Sequence, residues 1–307
     1  MQIADILTCG VMYISPEISE RNMILRQSMQ KWLVWSNCQT EGLARSISML
    51  CCDIEVDRAW VHEPAKSQEE LAAYDAVVIH HDHTHLTAGL RKVIVAPGIQ
   101  FCAYHPDSGY FTYIEDGAIK MVQGPLLGYA SIIGVAAYRS GRSVKQAAEL
   151  FNRDTYERAG YLCLWDTEKE SLGRAFGKAG LNLGDYLPTW SRTDPFMYSI
   201  NHPKIECLYD IASGILKREG YSPTKGNYLP LDGLSNGPTF PVYPEIASYY
   251  HVKGSLLFKA QLALEYMTLE HYLAGLFETL RQAPADSLAP APLFKARFEA
   301  VCDAISK

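Results

Sequence analysis

The stretch Lys31-Trp32-Leu33-Val34-Trp35-Ser36-Asn37-Cys38-Gln39-Thr40-Glu41-Gly42-Leu43 decides the fold. Its first five residues are short and apolar, the signature of a buried strand. From Thr40 to Cys52, apolar side chains recur at Leu43, Ile47, Leu50 and Cys51, which is helical spacing. Ser36 and Gln39 fit a capping box, in which a serine oxygen takes one free helix N–H and a glutamine reaches back to another. The stretch therefore reads strand, tight turn, helix, with Cys38 in the first helical turn.

A second unit of the same kind follows. Ile54–Trp60 is strand-like, Ser67-x-x-Glu70 caps a short helix over Ser67–Ala73, and Ala76–Ile79 is an apolar strand. Leu90–Val95 and Gln100–Tyr104 are further strand candidates. Short apolar strands alternating with helices predict a small parallel α/β sheet. From Ser143 the pattern turns helical, over Ser143–Phe151, Asp166–Ala179, Ile205–Glu219, Pro244–Tyr272 and Leu293–Ser306. The expected fold class is α/β, with a small parallel-sheet part and a mainly helical second half. The expected organisation is an N-terminal extension over residues 1–30, an α/β part over 31–141, and a helical part over 142–307 that shares its core. The extension is an appendage or an extra strand and helix packed on the fold. Ala283–Pro292 reads as a linker before the last helix.

Composition narrows the function. The chain has 307 residues, 28 Lys+Arg against 34 Asp+Glu, and a formal charge of −6. This balance argues against a general nucleic-acid binder, which would be basic. No apolar run reaches the ~20 residues of a membrane span, and no basic start precedes an apolar core at the N-terminus. The 8 cysteines are irregularly spaced and contain no C-x-x-C pair, so they read as reduced thiols of a cytoplasmic protein.

A cysteine in the first turn of a helix meets outward-pointing N–H groups and the positive end of the dipole. Both would lower the Cys38 pKa, and the same place binds anions or an oxyanion. Asn37 and Gln39 add amide donors. The competing reading is a buried cysteine beneath a helix cap.

The run from Lys31 to Leu43 resembles the opening of the WcbI family of capsular polysaccharide biosynthesis enzymes, which start with a strand and a Gly-Asn-Cys-Gln turn. Three later islands resemble the same family in order and rough spacing: Phe101-Cys102-Ala103-Tyr104-His105-Pro106-Asp107, Asn201-His202-Pro203, and Pro241-Val242-Tyr243-Pro244-Glu245-Ile246-Ala247. Ser36 stands where the family has Gly, and residues 1–30 precede the usual start. The resemblance implies an acyltransferase that binds coenzyme A and acetylates a sugar hydroxyl of a capsule precursor.

On this reading Cys38, Asn37, Gln39 and His202 carry the chemistry, and Ser36, Gln39, Thr40, His105, Lys253 and Lys259 are candidates for holding the cofactor. Each His-Pro dipeptide fixes the backbone around an imidazole, and a neutral imidazole can take a hydroxyl proton. An early nucleophile with a late histidine is similar to the layout of SGNH-type esterases and acyltransferases, an analogy of fold only. Arg139, Arg142 and Lys145 are a second basic group for the cofactor phosphates. Gly124-Pro125-Leu126-Leu127-Gly128-Tyr129 is a turn that could cradle the pantetheine arm.

The run His80-His81-Asp82-His83-Thr84-His85 offers nitrogen and oxygen ligands for a divalent ion. It lacks the H-E-x-x-H helix pattern, and the resemblance brings no metal. Two routes to transfer stay open: an acetyl-Cys38 intermediate, or direct attack of the sugar with His202 as base. A Cys/His or metal-dependent esterase and a non-catalytic coenzyme A-binding subunit are the rival readings.

Overall fold

The computed structural model describes residues 29–192, 194–283 and 287–306. All but the last two residues of the expected N-terminal extension lie outside these.

Four parallel strands open the fold: β1 (Gln30–Ser36), β2 (Ile54–Trp60), β3 (Ala76–His80) and β4 (Val93–Ala96), in the order β2-β1-β3-β4. Successive side chains of a strand point to opposite faces, so β1 serves two layers. Trp32 and Val34 join the main core, whereas Leu33 and Trp35 join a smaller cluster with Leu71, Val77 and Ile79. All four β1 side chains are buried, which is why the segment reads as a continuous apolar run rather than an alternating one.

Helix α1 (Thr40–Leu50) covers the main face with Leu43, Ile47 and Leu50. Helix α2 (Gln68–Ala72) is started by the Ser67–Glu70 capping box and covers the other face with Leu71. The main core is continuous from Trp32 to Ile305. It takes in the helices that follow: α3 (Ile132–Arg139), α4 (Val144–Ala148), α5 (Arg153–Arg158), α6 (Trp165–Lys178), α7 (Leu187–Trp190), α8 (Ile205–Arg218), α9 (Pro244–Tyr250), α10 (Leu269–Gln282) and α11 (Lys295–Ile305). The chain is thus α/β, a four-stranded parallel sheet followed by a mainly helical region. Helix α8 lies against α1 so closely that a Cβ on Gly42 would stand 2.5 Å from Leu208 Cδ1.

Three local expectations give way. The capping box at Ser36 and Gln39 does not form. Ser36 is the last residue of β1, and the Gln39 side chain turns away from its own helix to bond a distant loop. Residues 100–102 are irregular and 103–104 a turn rather than strand: the His105 N–H closes back on Cys102 O at 2.9 Å, and the Phe101 N–H bonds Ile200 O at 2.8 Å, away from the sheet. Pro244–Tyr272 is not one helix: α9 stops at His251, whose φ of 57° is left-handed, and helix resumes only at Leu269.

Candidate active site

In an open α/β sheet, ligands bind beyond the carboxyl ends of the strands where the chain order reverses. Here that place lies between β1 and β3, whose following turns are Asn37-Cys38-Gln39 and His81-Asp82-His83. A cavity of about 540 Å³ opens there, and its lining includes Asn37, His80, His81, Asp82, His83 and Asn201.

The turn after β1 is held by its own side chains. Asn37 Oδ1 accepts the Gln39 N–H at 3.0 Å, and Asn37 O accepts the Thr40 hydroxyl at 2.7 Å. Gln39 is buried and donates Nε2 to Ile99 O at 2.8 Å and to Asn201 O at 3.2 Å. Its Oε1 accepts the Ile99 N–H at 3.1 Å. One amide therefore ties the first and third sequence islands to the loop after β4. Thr40 and Ser36 are both buried and shape the turn from behind.

Cys38 precedes the helix rather than sitting in its first turn, since Gln39 is the N-cap. Its Sγ faces two carbonyl oxygens, Asn201 O at 3.8 Å and Asn37 Oδ1 at 3.9 Å. These acceptors favour a protonated sulfur, and burial pushes the thiol up to about 11. The lowered pKa expected from the sequence is thus reversed. A dipole acts on what lies over the helix end, and here desolvation outweighs it.

His202 follows Asn201, whose carbonyl meets the turn; neither His202 nor Cys38 is among the residues that line the cavity. The His202 Nε2 lies 3.3 Å from the Tyr129 hydroxyl, and its Nδ1 is buried without a partner among the described residues. Burial holds it down at about 4, so the imidazole is neutral at physiological pH. Tyr129 donates to Asn201 Oδ1 at 2.5 Å, and Asn201 Nδ2 is 3.3 Å from the Tyr110 hydroxyl. Asn201, Tyr129 and Tyr110 were not among the residues singled out from the sequence as chemical. Only Asn201's place in the Asn-His-Pro island and Tyr129's at the end of the Gly-Pro turn carried any signal.

The second and fourth islands meet each other instead, behind the site. Asp107 is fully buried and accepts from Ser131 Oγ, Tyr243 OH, Tyr161 OH and the Ile133 N–H at 2.5, 2.6, 2.9 and 2.8 Å. Burial pushes its carboxyl up to about 6 against the pull of these donors. His105, 2% exposed, contacts Pro241 O at 3.4 Å and lies outside the cavity lining. Lys253 is on the surface, paired with Asp194 at 3.0 Å. Lys259 donates to Ser235 O at 2.9 Å, on the turn that ends at Gly237 beside the His202 ring. Neither lysine lines the cavity.

Ligand atoms of His80, His81 and Asp82 lie within 4.8 Å of one another. Their orientation is that of donors rather than metal ligands. Nδ1 of His80 accepts the Asp82 N–H at 3.2 Å, and Nδ1 of His81 accepts the Gly98 N–H at 3.0 Å. A neutral imidazole that accepts at one nitrogen carries its proton on the other. A metal on Nε2 would need Nδ1–H, which would then face a backbone N–H; metal-bound histidines instead give that proton to an acceptor.

The model of the WcbI family, polysaccharide biosynthesis enzyme WcbI, matches residues 31–224, more than half of the chain. The chain belongs to the WcbI family. It is a polysaccharide biosynthesis enzyme of that family. A solved structure of WcbI covers 91% of this chain and 98% of its own, with a TM-score of 0.65 and 16% identity. That structure is the native WcbI protein without a disulfide bond between coenzyme A and one of its cysteines. At this identity the likeness shows the shared fold. No curated protein matches the chain. Among the described residues, no helix is long and apolar enough to cross a membrane.

Proposed function

We propose that this chain transfers an acetyl group from acetyl-CoA to a sugar hydroxyl of a capsular or surface polysaccharide precursor. The observation that carries the reading is the contact of Cys38 with Asn201 O, the residue before His202, at the sheet's switch point, beside a polar cavity that Asn37 and Asn201 line. In WcbI a cysteine comes close enough to coenzyme A for a disulfide between them to be at issue. Carried to this chain, that cysteine is Cys38, so the thioester end lies over the Asn37-Cys38-Gln39 turn.

The geometry favours direct transfer over an acetyl-cysteine. The thiol of Cys38 is protonated, hydrogen-bonded to carbonyl oxygens and, among the described residues, has no imidazole as partner. In direct transfer, His202 takes the proton of the sugar hydroxyl as its oxygen attacks the thioester carbonyl. The C–S bond then breaks, and the departing CoA sulfur takes the proton back from the imidazolium. In the structure Tyr129 gives its one proton to Asn201 Oδ1, so the Nε2 beside it carries the imidazole proton; to act as base His202 takes the Nδ1–H tautomer, which frees Nε2 to accept from the sugar hydroxyl. Asn37 Oδ1 is turned inward to the Gln39 N–H, which leaves the Asn37 Nδ2 amide at the cavity to donate to an oxyanion.

The test is release of free CoA thiol from acetyl-CoA with capsular saccharide fragments as acceptors. His202→Gln is expected to lower kcat/KM by about 10²-fold or more, the range of a lost general base. Ester hydrolysis without coenzyme A would point to the hydrolase reading. Coenzyme A binding with no turnover on any acceptor would point to a non-catalytic subunit.

A further inference from the structure

The cavity has a second end that the chemistry above does not use. Helix α6 presents Ser171, Arg174 and Lys178 along one wall, at helical spacing. Opposite them stand His80, His81 and His83. The imidazoles of His80 and His81 are anchored through Nδ1 to backbone N–H groups, so each carries its proton on Nε2; that of His81 already meets Asp82 Oδ1 at 3.2 Å. The His80 Nε2 stands over Gly98, where a Cβ would come within 1.6 Å of it; only glycine admits the ring there.

We infer that this wall is a phosphate subsite, continuous with the thioester end at Asn37 and Asn201. The inference rests on the coenzyme A reading for its preferred ligand, because coenzyme A carries phosphates at the end remote from its thiol. A nucleoside diphosphate sugar is the other source of the same chemistry. A phosphate accepts only, and this wall is rich in donors. Arg174 matches it in bidentate fashion and Lys178 as a point charge.

Two carboxylates also face the cavity, and both are already matched. Glu168 accepts the Cys102 N–H at 2.8 Å and lies 4.0 Å from Arg297. Asp82 lies 3.2 Å from His81 Nε2 and 3.7 Å from Lys178 Nζ. The Lys178 pair and the 2.8 Å Arg174–Glu170 pair are solvent-exposed, so each cation exchanges its partner for a phosphate at little cost. The other basic candidates are placed elsewhere. Arg142 donates to Ile305 O at 2.5 Å, Arg139 lines a separate groove against Phe298, and Lys145 is exposed on α4.

Calorimetric titration of the full chain with coenzyme A, pantetheine and UDP-glucose tests the subsite, using wild type and the double variant Arg174→Gln/Lys178→Gln. Both side chains are exposed, so the fold is retained, and an unchanged Tm checks this. The double variant is expected to weaken coenzyme A binding by on the order of tenfold to a hundredfold, as for lost hydrogen bonds to a charged group, and pantetheine by under about twofold. Its coenzyme A affinity should also depend less on salt. Weakened UDP-glucose binding with coenzyme A unaffected keeps the subsite and assigns its phosphate to the acceptor. Equal affinities in both proteins for every ligand that wild type binds overturn the subsite and leave the transferase reading standing. Wild type that binds neither coenzyme A nor UDP-glucose overturns both.

Discussion

Cys38 Sγ lies 3.8 Å from the main-chain oxygen of Asn201, a contact that spans 163 residues of sequence. It joins the first strand-turn-helix to the loop that launches α8. The same carbonyl also takes the Gln39 amide at 3.2 Å, so thiol and amide share one acceptor. The cysteine is thereby fixed in place as a neutral group, and its reactivity is set by desolvation.

Slow alkylation of Cys38 follows. With its pKa pushed from an ordinary 9.0 to about 11, the thiolate fraction at pH 7.5 is about a hundredfold below that of an unperturbed thiol. Peptide mass spectrometry after iodoacetamide should show Cys38 modified far more slowly than exposed Cys52. Cys38→Ser is expected to keep turnover within about tenfold of wild type. Rapid acetylation of Cys38 by acetyl-CoA alone would instead establish the two-step route.

Gln39 is the joint between islands. Gln39→Leu would strand the Ile99 N–H and C=O, both of which the amide now satisfies. Each buried unsatisfied group costs about 1–3 kcal/mol, so the variant should lose about 2–5 kcal/mol. Urea unfolding should show a lower midpoint at constant slope. A loss under about 1 kcal/mol would mean that water replaces the amide and that the turn is not held as described.

Tyr243→Phe removes one of the four donors to Asp107. A hydrogen bond to a charged group contributes about 1.5–3 kcal/mol, and chemical denaturation should register that loss. Asp107 also accepts the Ile132 and Ile133 N–H groups at 2.7 and 2.8 Å, starting α3. The clamp braces the site from behind without lining the cavity. Coenzyme A affinity measured at a temperature where the variant is folded should therefore change by less than about twofold.

The sheet was legible because its strands are buried on both sides. Trp32 to Trp35 leave no polar position to confuse the period, and Ser67-x-x-Glu70 is a local signal that local geometry honours. The Ser36–Gln39 box failed because a long-range partner won. Ile99 offers Gln39 a donor and an acceptor together, which no helix end can. The order of the four islands was visible, but not that two of them clasp each other in the core around Asp107. Arg174 and Lys178 were invisible as site residues, since charges four apart on a helix look like any solvated face. The overlong helix across 244–272 shows the same limit: apolar spacing persists through His251, and only the left-handed backbone there marks the break.

Acid should destabilise the protein well above the ordinary carboxylate range. Burial holds His80, His105 and His202 each at about 4, against 6.5 for an unperturbed histidine. Between those values the unfolded chain binds protons that the folded chain refuses, so stability rises with pH and falls on acidification. Asp107 opposes this: raised from 3.8 to about 6, it holds a proton in the folded state that the unfolded chain has lost. That is one proton against three, and the histidines win. Each uncompensated proton is worth about 1.4 kcal/mol per pH unit, so near pH 5 stability should fall by up to about 2.5 kcal/mol per unit. Above about pH 8 these groups give almost no slope. Urea unfolding at pH 7.5, 6 and 5 checks the sign. His105→Gln, which removes one of the three histidines without touching the cavity, should flatten the slope by about half, since the net of two protons becomes one. A stability that holds level or rises toward pH 5 would mean that these imidazoles are hydrated and charged in the fold, and the closed packing around Pro241 and Gly237 would then have to open.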